Sequence, residues 1–341
     1  WGGNVPGDGS TVRIPLDVEI LFDTISSRIK NINLAGAFRF AKEKSTLLYV
    51  ETFIGQPSSK FEIGTSSQPI PANITSKVVI IDNGPIDVED DYDQISKGLI
   101  LRGAVEIYGT KKTSWLPLGN FPKIGDSSVN LSEIPEGWEV GDEIVITGTE
   151  PDNPESDEKR RIARLDSTIV ILDEPLTRDH ISPRNDFKVH IANLSRNVVF
   201  RSENPAIDRR GHVMFMKNLD VDLNYARFYQ MGRTNKRIQV DDWYYENLIA
   251  EDGEKGPRTN IRGRYSVHFH RGGVDPNNTS PAHVEGCVVE DDPGWAYVNH
   301  SSNVDFIDNV SYNVVGGAYQ TESGDEIGSF VQNIAIRTVN P

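Results

Sequence analysis

The chain is poor in cysteine, in long apolar segments and in basic residues. Cys287 is the only cysteine among 341 residues, which excludes an intrachain disulfide and a small disulfide-stapled scaffold. No apolar run approaches the roughly 18–20 residues that a membrane-spanning helix needs, so membrane insertion is not expected. The 35 Lys and Arg residues are outnumbered by 50 Asp and Glu, and the net charge of −15 disfavours nucleic acid as a partner.

The chain also lacks a convincing helical period. Short apolar runs alternate with turns rich in Gly, Asn, Asp and Pro, as in 78–81 followed by "NGP" (83–85). A chain of this length can bury a large core as one long domain or two. This pattern of short apolar runs separated by turns predicts an all-β protein.

A repeat near the C-terminus predicts the architecture. The segments "GWAYVNH" (294–300) and "GGAYQTE" (316–322) share Gly, Ala and Tyr at matching positions, and "RYSVHFH" (264–270) fits the same frame. Segments 197–200 and 218–221 suggest a similar spacing. A period of about 22 residues without a helix predicts coils of a parallel β-helix, since a propeller blade needs roughly 40–50 residues.

The repeat also predicts which side chains lie together. Because side chains alternate across a strand, Phe269 is expected to point inward and His268 and His270 outward. Stacked strands lie about 4.8 Å apart. We therefore expect His270, His300 and Glu322 in one column on the outer face, with His268 in the adjacent column.

This column predicts a chemical site, with two chemistries open. In the first, His268, His270, His300 and Glu322 are catalytic acid–base groups that cleave a glycosidic bond. In the second, a divalent cation is bound, either a transition metal such as Zn²⁺ or Ca²⁺. The candidate metal ligands are His270, His300, Glu322 and Asp325. A purely structural metal remains a third interpretation, and His212 is expected to be structural.

Basic residues concentrate ahead of this column. Residues 201–271 carry a slight excess of Lys and Arg, whereas residues 272–341 contain only Arg337. A basic stretch beside an acidic one suits a bound polyanion next to catalytic or metal-binding carboxylates, and solvated loop charges are the equal alternative. The candidate substrate-binding residues are Arg233, Arg237, Trp243, Arg264 and Arg271. Trp243 could stack on a sugar ring or pack against the coils.

Several longer segments carry a family resemblance. They are "WGGNVPGDGSTVRIP" (1–15), "GLILRGAVEIYGTKKTSWLPL" (98–118), "GRYSVHFHRGG" (263–273) and "ESGDE" (322–326). They resemble the G8 domain and the region that follows it in proteins such as the cell-migration-inducing hyaluronan-binding protein and transmembrane protein 2. The segments occur in the same order as in those proteins. The resemblance implies a right-handed parallel β-helix that is secreted or held at the cell surface. It also implies an acidic polysaccharide partner such as hyaluronan, depolymerised by a glycosidase or lyase, with calcium as a possible cofactor.

The resemblance also implies a division of the chain. We expect a G8 domain over residues 1–125, packed on or continuous with the β-helix. We expect a β-rich connecting segment to follow over 126–188, and coils of the β-helix over 189–341. The protein is expected to be a monomer and, with its single cysteine, a bacterial relative of the animal proteins. A non-catalytic glycan-binding or adhesion module is the competing function.

Overall fold

The computed structural model describes residues 5–150, 152–153, 155–184, 186–242, 256–275, 277 and 280–340. Short strands with one inward-facing row of apolar side chains make up nearly all of its regular structure. The strands of the first coils are β1 (Thr11–Ile14), β2 (Glu19–Phe22), β3 (Ile25–Leu34), β4 (Ala37–Phe40), β5 (Thr46–Gly55), β6 (Lys60–Ile63), β7 (Ser76–Ile80), β8 (Gly98–Leu101) and β9 (Ala104–Tyr108).

An antiparallel module follows these coils. Its strands are β10 (Trp115–Pro117), β11 (Ser128–Asn130), β12 (Glu143–Ile146), β13 (Glu158–Asp166), β14 (Ile169–Leu172) and β15 (His190–Asn193). They pair in the order β10-β15-β12-β13-β14-β11. The module has an apolar core of its own around Trp138 and Ile144. It is therefore a separate layer beside the coils.

The remaining strands form the later coils. They are β16 (Val198–Ser202), β17 (His212–Met216), β18 (Val221–Asn224), β19 (Ala226–Tyr229), β20 (Val267–Gly273), β21 (Ala282–Glu285), β22 (Val288–Glu290), β23 (Tyr297–Ile307), β24 (Val310–Val315), β25 (Tyr319–Thr321), β26 (Ile327–Val331) and β27 (Ile334–Val339). One short 3₁₀ helix, Ile207–Arg209, lies between β16 and β17. Within the described part of the chain, no helix is long and apolar enough to cross a bilayer.

Three parallel ladders run along the coils and define three faces. The first face stacks β7, β16, β19, β22, β24 and β27. The second face stacks β8, β17, β20, β23 and β25. The third face stacks β9, β18, β21, the end of β23 and β26. Each coil therefore contributes one strand to each face, which is the parallel β-helix that the repeat predicts.

The core lies between the three faces and is built from like residues stacked on successive coils. Phe215 lies over Phe269, with ring centroids 4.7 Å apart, and Tyr297 lies over Tyr319 at 5.0 Å. Burying such rings contributes strongly to the apolar stabilisation, because each aromatic side chain removes a large area from water. The core is continuous from Val12 in the first coil to the last coils.

The corners of the coils repeat as regularly as the strands. The turn from the third to the first face has a residue with positive φ in successive coils, namely Tyr225, Gly286, Asp308 and Gln332. A left-handed residue bends the chain sharply, and its cost is offset by the pairing on either side. The corner therefore recurs in the backbone conformation, although the four residues differ in type.

The coils form one stack across the predicted domain boundary, since β7, β8 and β9 pair with β16, β17 and β18. The antiparallel module packs on the first face, where Val145 and Ala192 belong to the same apolar cluster as Val288 and Val310. Strands β10 and β15 lie outside the predicted connecting segment 126–188, so the module starts earlier and ends later than the sequence indicates.

One predicted alignment is wrong. Segment 197–200 does not stack on 218–221, because Val198 pairs with Ala226 instead. Val221 belongs to the third face and pairs with Val105. Both segments begin with an Asn whose side-chain amide donates to a backbone carbonyl oxygen, Asn197 to Ile70 at 3.0 Å and Asn218 to Gly103 at 2.6 Å.

Candidate functional site

The candidate site lies on the outer side of the second face. Met216 pairs with His270 and His270 with His300, while Met214 pairs with His268 and His268 with Val298. The register is the one that the sequence repeat predicts.

Glu322 completes the column directly after β25, where its backbone N–H donates to the carbonyl oxygen of Asn299 (3.0 Å). The Glu322 carboxylate accepts a hydrogen bond from Nδ1 of His300 at 2.9 Å. The structure thus brings together all four predicted catalytic residues, two of them joined by a hydrogen bond.

His268 departs from the prediction, because it points away from the core yet is only 1 % exposed. The loop 256–264 covers it, and the Gly263 carbonyl oxygen lies 2.9 Å from its Nδ1. Gly263 has a φ of +81°, which glycine adopts without strain and which turns this carbonyl toward the ring. The alternation of side chains along a strand predicts that His268 points outward, but it does not predict the loop that covers the ring.

The hydrogen bonds of His268 and His300 assign their tautomers. A carbonyl or carboxylate oxygen can only accept, so Nδ1 carries the proton in both rings. Their Nε2 atoms are therefore the lone-pair atoms. In His268, Nε2 is buried and receives no hydrogen bond from any described residue.

Burial holds two of the histidines in the neutral form. It lowers the pKa of His268 well below its usual value, and the neighbouring His270 lowers it further. Burial, followed by the electrostatic influence of the neighbouring His300, lowers the pKa of His270 to about 4. Neutral imidazoles at neutral pH can bind a cation or accept a proton.

Glu326, which follows Asp325 in the acidic loop and which the sequence offers as a second carboxylate or a Ca²⁺ ligand, fixes the turn after Glu322. Its carboxylate accepts hydrogen bonds from the backbone N–H groups of Ser301 (3.2 Å), Glu322 (3.0 Å) and Gly324 (2.7 Å). Burial raises the pKa of Glu326, but backbone donors outweigh it and the net pKa is lowered. Asp325, predicted as a metal ligand, is exposed and does not line the cleft described next. The capped turn directs the carboxylate of Glu326, not that of Asp325, toward the coil.

A cleft of about 450 Å³ lies over the histidines. Its rim is rich in arginine, and the lining charged residues are Asp93, Asp242, Arg258, Arg262, Arg264, Arg271 and Glu322. Arg271 follows the histidines of β20 at a bulge with a positive φ of 54° and is exposed. It remains a candidate for holding substrate anions.

Two of the arginines predicted to bind substrate donate hydrogen bonds to backbone carbonyls of the protein itself. Arg233 is only 7 % exposed and donates to the carbonyl oxygens of Lys97 (3.1 Å) and Ser96 (2.9 Å). Burial lowers the pKa of Arg233 to about 9, and its donors face carbonyl groups of the protein, not the cleft. Arg264 lines the cleft, but its guanidinium donates to the carbonyls of Gln94, Asp93 and Arg262.

The other predicted contacts fall into three cases. Arg237 is exposed but does not line the cleft. Trp243 lies outside the described residues. His212 is fully buried beside Arg233, whose Nη1 is 3.0 Å from its Nδ1, in agreement with a structural role.

Sequence reasoning missed two arginines near the site. Arg258 and Arg262 line the rim, where Arg262 pairs with Asp242 at 2.9 Å and its side chain remains 57 % exposed. The signal that could have found them was the run of arginines directly before the "VHFH" strand. Lys236 also lies nearby, with its Nζ 3.5 Å from the ring centroid of Trp295, and burial lowers its pKa.

The fold and this site define a parallel β-helix protein with a histidine-floored, arginine-rimmed cleft. Residues 1–119, which include the N-terminal coils, match the G8 domain family. This confirms the resemblance on which the sequence interpretation was built.

The relatives are longer proteins. A G8 domain-containing protein of Dictyostelium discoideum is 24% identical over 95% of this chain, which spans 27% of that relative. Human Fibrocystin-L is 23% identical over 98% of this chain, which spans 8% of it. Among solved structures, a tailspike of Acinetobacter baumannii bacteriophage AP22, in complex with capsular saccharide, is 12% identical. It covers 90% of this chain and 41% of its own, with a TM-score of 0.24 that is too low to define a common fold.

Proposed function

We propose that this chain is part of an extracellular or cell-surface protein that binds and depolymerises an acidic polysaccharide, with hyaluronan as the first candidate. The observation that carries the proposal is the cleft itself, in which exposed arginines surround a floor of imidazoles and one carboxylate. The chain would act as a monomer. The resemblance to G8-domain proteins that act on hyaluronan supports the choice of ligand.

The two parts of the cleft have different tasks in this proposal. Arg262 and Arg271 on the rim attract the carboxylates of the glycan, because a guanidinium binds a carboxylate through paired N–H donors. The floor supplies the chemistry of cleavage. His300 is held in one tautomer and orientation by Glu322, as a group that acts on a reacting bond must be.

Incubation with a panel of acidic polysaccharides, followed by sizing of the products, tests this function. We expect shortening of at least one polymer, and we expect His300→Ala to abolish it while the melting temperature stays within a few degrees. The matched control is His283→Ala, since His283 also pairs with a carboxylate (Glu285, 2.9 Å) but lies on the third face. It should retain full activity.

The competing function is a non-catalytic glycan-binding module. Binding of an acidic polysaccharide without any shortening, in the same preparation, would establish that module and reject depolymerisation. Neither binding nor shortening across the panel would reject both.

A further inference from the structure

We propose that His268, His270 and His300 together bind one divalent transition-metal ion, with Zn²⁺ the best match. One ring nitrogen from each histidine lies within 4.8 Å of the other two. Three nitrogens bound to a common zinc at 2.0–2.1 Å lie roughly 3.3 Å apart in a tetrahedral arrangement. Small rotations of the side chains close that difference.

The hydrogen bonds of two of the three rings are those of metal ligands. A metal-bound histidine usually donates its other N–H to a carbonyl or carboxylate oxygen, which fixes the tautomer and orients the lone pair. His268 does so with the Gly263 carbonyl and His300 with the Glu322 carboxylate, both at 2.9 Å. Two separate elements, a loop and a turn, are thus arranged to present Nε2.

An independent observation is the unpartnered polar atoms at this place. Nε2 of His268 and Nδ1 of His270 are buried and make no hydrogen bond with any described residue. Buried polar atoms almost always have a partner, because an unpaired one costs about 1–3 kcal/mol. Two such atoms, on rings with centroids 5.2 Å apart, are accounted for by one shared cation.

An internal ion pair does not account for them. Nε2 of His268 is 3.7 Å from the Glu322 carboxylate, which is beyond hydrogen-bond distance. That carboxylate oxygen is already engaged by His300 at 2.9 Å. Glu322 is therefore assigned as a positioning residue for His300.

The donor set also decides which metal is bound. Ca²⁺ takes oxygen ligands, whereas imidazole nitrogen suits Zn²⁺ and its neighbours in the first transition row. Three protein ligands leave a further position for water or substrate, and all three histidines line the arginine-rimmed cleft from which either would come. This ligand set differs from the one that the sequence predicts. His268 takes the place of Asp325, and Glu322 is not a ligand but accepts a hydrogen bond from His300.

Metal titration of the chelator-treated chain tests the proposal without any glycan. We expect one Zn²⁺ or Co²⁺ per chain by calorimetry and by elemental analysis, and a rise in melting temperature on Zn²⁺ addition because the ion binds only the folded state. His270→Ala and His300→Ala should each lose this binding and this rise. His283→Ala, the matched control, should keep both.

Glu322→Gln separates a positioning residue from a ligand. The variant should still bind one ion, with affinity reduced about 10- to 100-fold. Complete loss, as in the histidine variants, would overturn the positioning role. His268→Ala is avoided as the main test because the buried ring also supports the loop.

The absence of stoichiometric binding of Zn²⁺, Co²⁺, Ni²⁺ and Mn²⁺ to a folded chain would overturn the metal site. Binding unchanged in both His270→Ala and His300→Ala would do the same. The ion's role in cleavage rests on the proposed function, but its binding does not. A chain that binds the ion and shortens no polysaccharide loses only the proposed function, and one that shortens polysaccharide with no ion loses only this inference.

Discussion

Arg233 and Arg271 lie within one charged region of the sequence and have opposite environments. Arg233 is buried against backbone carbonyls and His212, whereas Arg271 is exposed on the rim of the cleft. Arg233 stabilises the fold because removing it deletes several buried hydrogen bonds at once, although the Lys97 carbonyl keeps the backbone N–H of His212 at 3.2 Å. An exposed arginine contributes little to stability and is available to a ligand.

This difference leads to a prediction for Arg233→Met. We expect the free energy of unfolding to fall by about 3 kcal/mol, since burial of unpaired carbonyls is costly and methionine restores none of the hydrogen bonds. Arg271→Ala should change it by less than about 0.5 kcal/mol while weakening glycan binding. Urea denaturation of both variants measures this, and equal midpoints would contradict the assignment.

Asp292 gives a pH-dependent prediction. It is 1 % exposed, and burial raises its pKa to about 7 although Ser266 and Gly294 donate hydrogen bonds to it. The folded-state pKa is above the unfolded value of about 3.9, so the folded state binds the proton more tightly. The stabilisation is therefore fully present below about pH 4 and lost as the pH rises through about 7.

The measurement is the free energy of unfolding at several pH values. Between pH 5 and 8 the wild-type chain should lose on the order of 3 kcal/mol through this group. Asp292→Asn carries no titrating proton at this position, so its pH dependence should be flatter by that amount. Parallel curves for the two proteins would show that Asp292 titrates normally.

At the scale of the elements, the coils are held together by corner residues as well as by strands. Asn309 is fully buried at the turn from the third to the first face. Its Nδ2 donates to Val284 O and to Asn333 Oδ1, each at 3.0 Å, and its Oδ1 accepts from Cys287 N at 2.9 Å. One side chain thus links three successive coils.

We therefore expect Asn309→Ala to destabilise the fold by about 2–4 kcal/mol, because it leaves buried backbone groups of neighbouring coils unpaired. Asn83→Ala is the matched control, since Asn83 is exposed and its amide donates to the Glu51 side chain at the surface. Thermal and urea unfolding of both variants checks this. A similar loss of stability in Asn83→Ala would mean that the corner position of Asn309 is not the cause of the effect.

The register of the second face was predictable because its successive strands share one residue pattern. Tyr297 and Tyr319 occupy the same place in that pattern and pair directly, so the repeat in sequence is the repeat in space. The burial of His268 was not predictable, because strand alternation says nothing about the loop that covers the ring. The same holds for Arg233, whose partners Ser96 and Lys97 lie 137 and 136 residues earlier in the sequence.

At the scale of the whole molecule, the coils that match the G8 family and the later coils are one continuous stack. Strands β7, β8 and β9 pair directly with β16, β17 and β18, and the apolar core continues across the junction. The antiparallel module leaves the stack between these coils and covers the first face. The second face is left to carry the cleft, which places the histidines and the basic rim on a rigid support.

The charge of the whole molecule gives a last prediction about the ligand. The chain carries a net charge of −15, yet its cleft is rimmed by Arg258, Arg262 and Arg271. An acidic glycan is thus attracted locally by the rim and repelled at long range by the rest of the surface. Salt screens both the attraction to the rim and the repulsion from the rest of the surface. Because the short contacts with the rim dominate the bound state, binding should weaken as the salt concentration rises.

We expect the affinity for an acidic polysaccharide to fall about tenfold or more between about 0.1 M and about 1 M NaCl, where the screening length drops from about 10 Å to about 3 Å. Arg271→Ala should bind more weakly at low salt and show a shallower dependence, because one charged contact is missing. Calorimetry or surface binding at several salt concentrations measures both slopes. A neutral polysaccharide of similar length is the control and should show almost no dependence. If the neutral polymer bound as tightly as the acidic one at every salt concentration, the arginine rim would not be what selects the ligand, and recognition would have to come from the uncharged surface of the cleft.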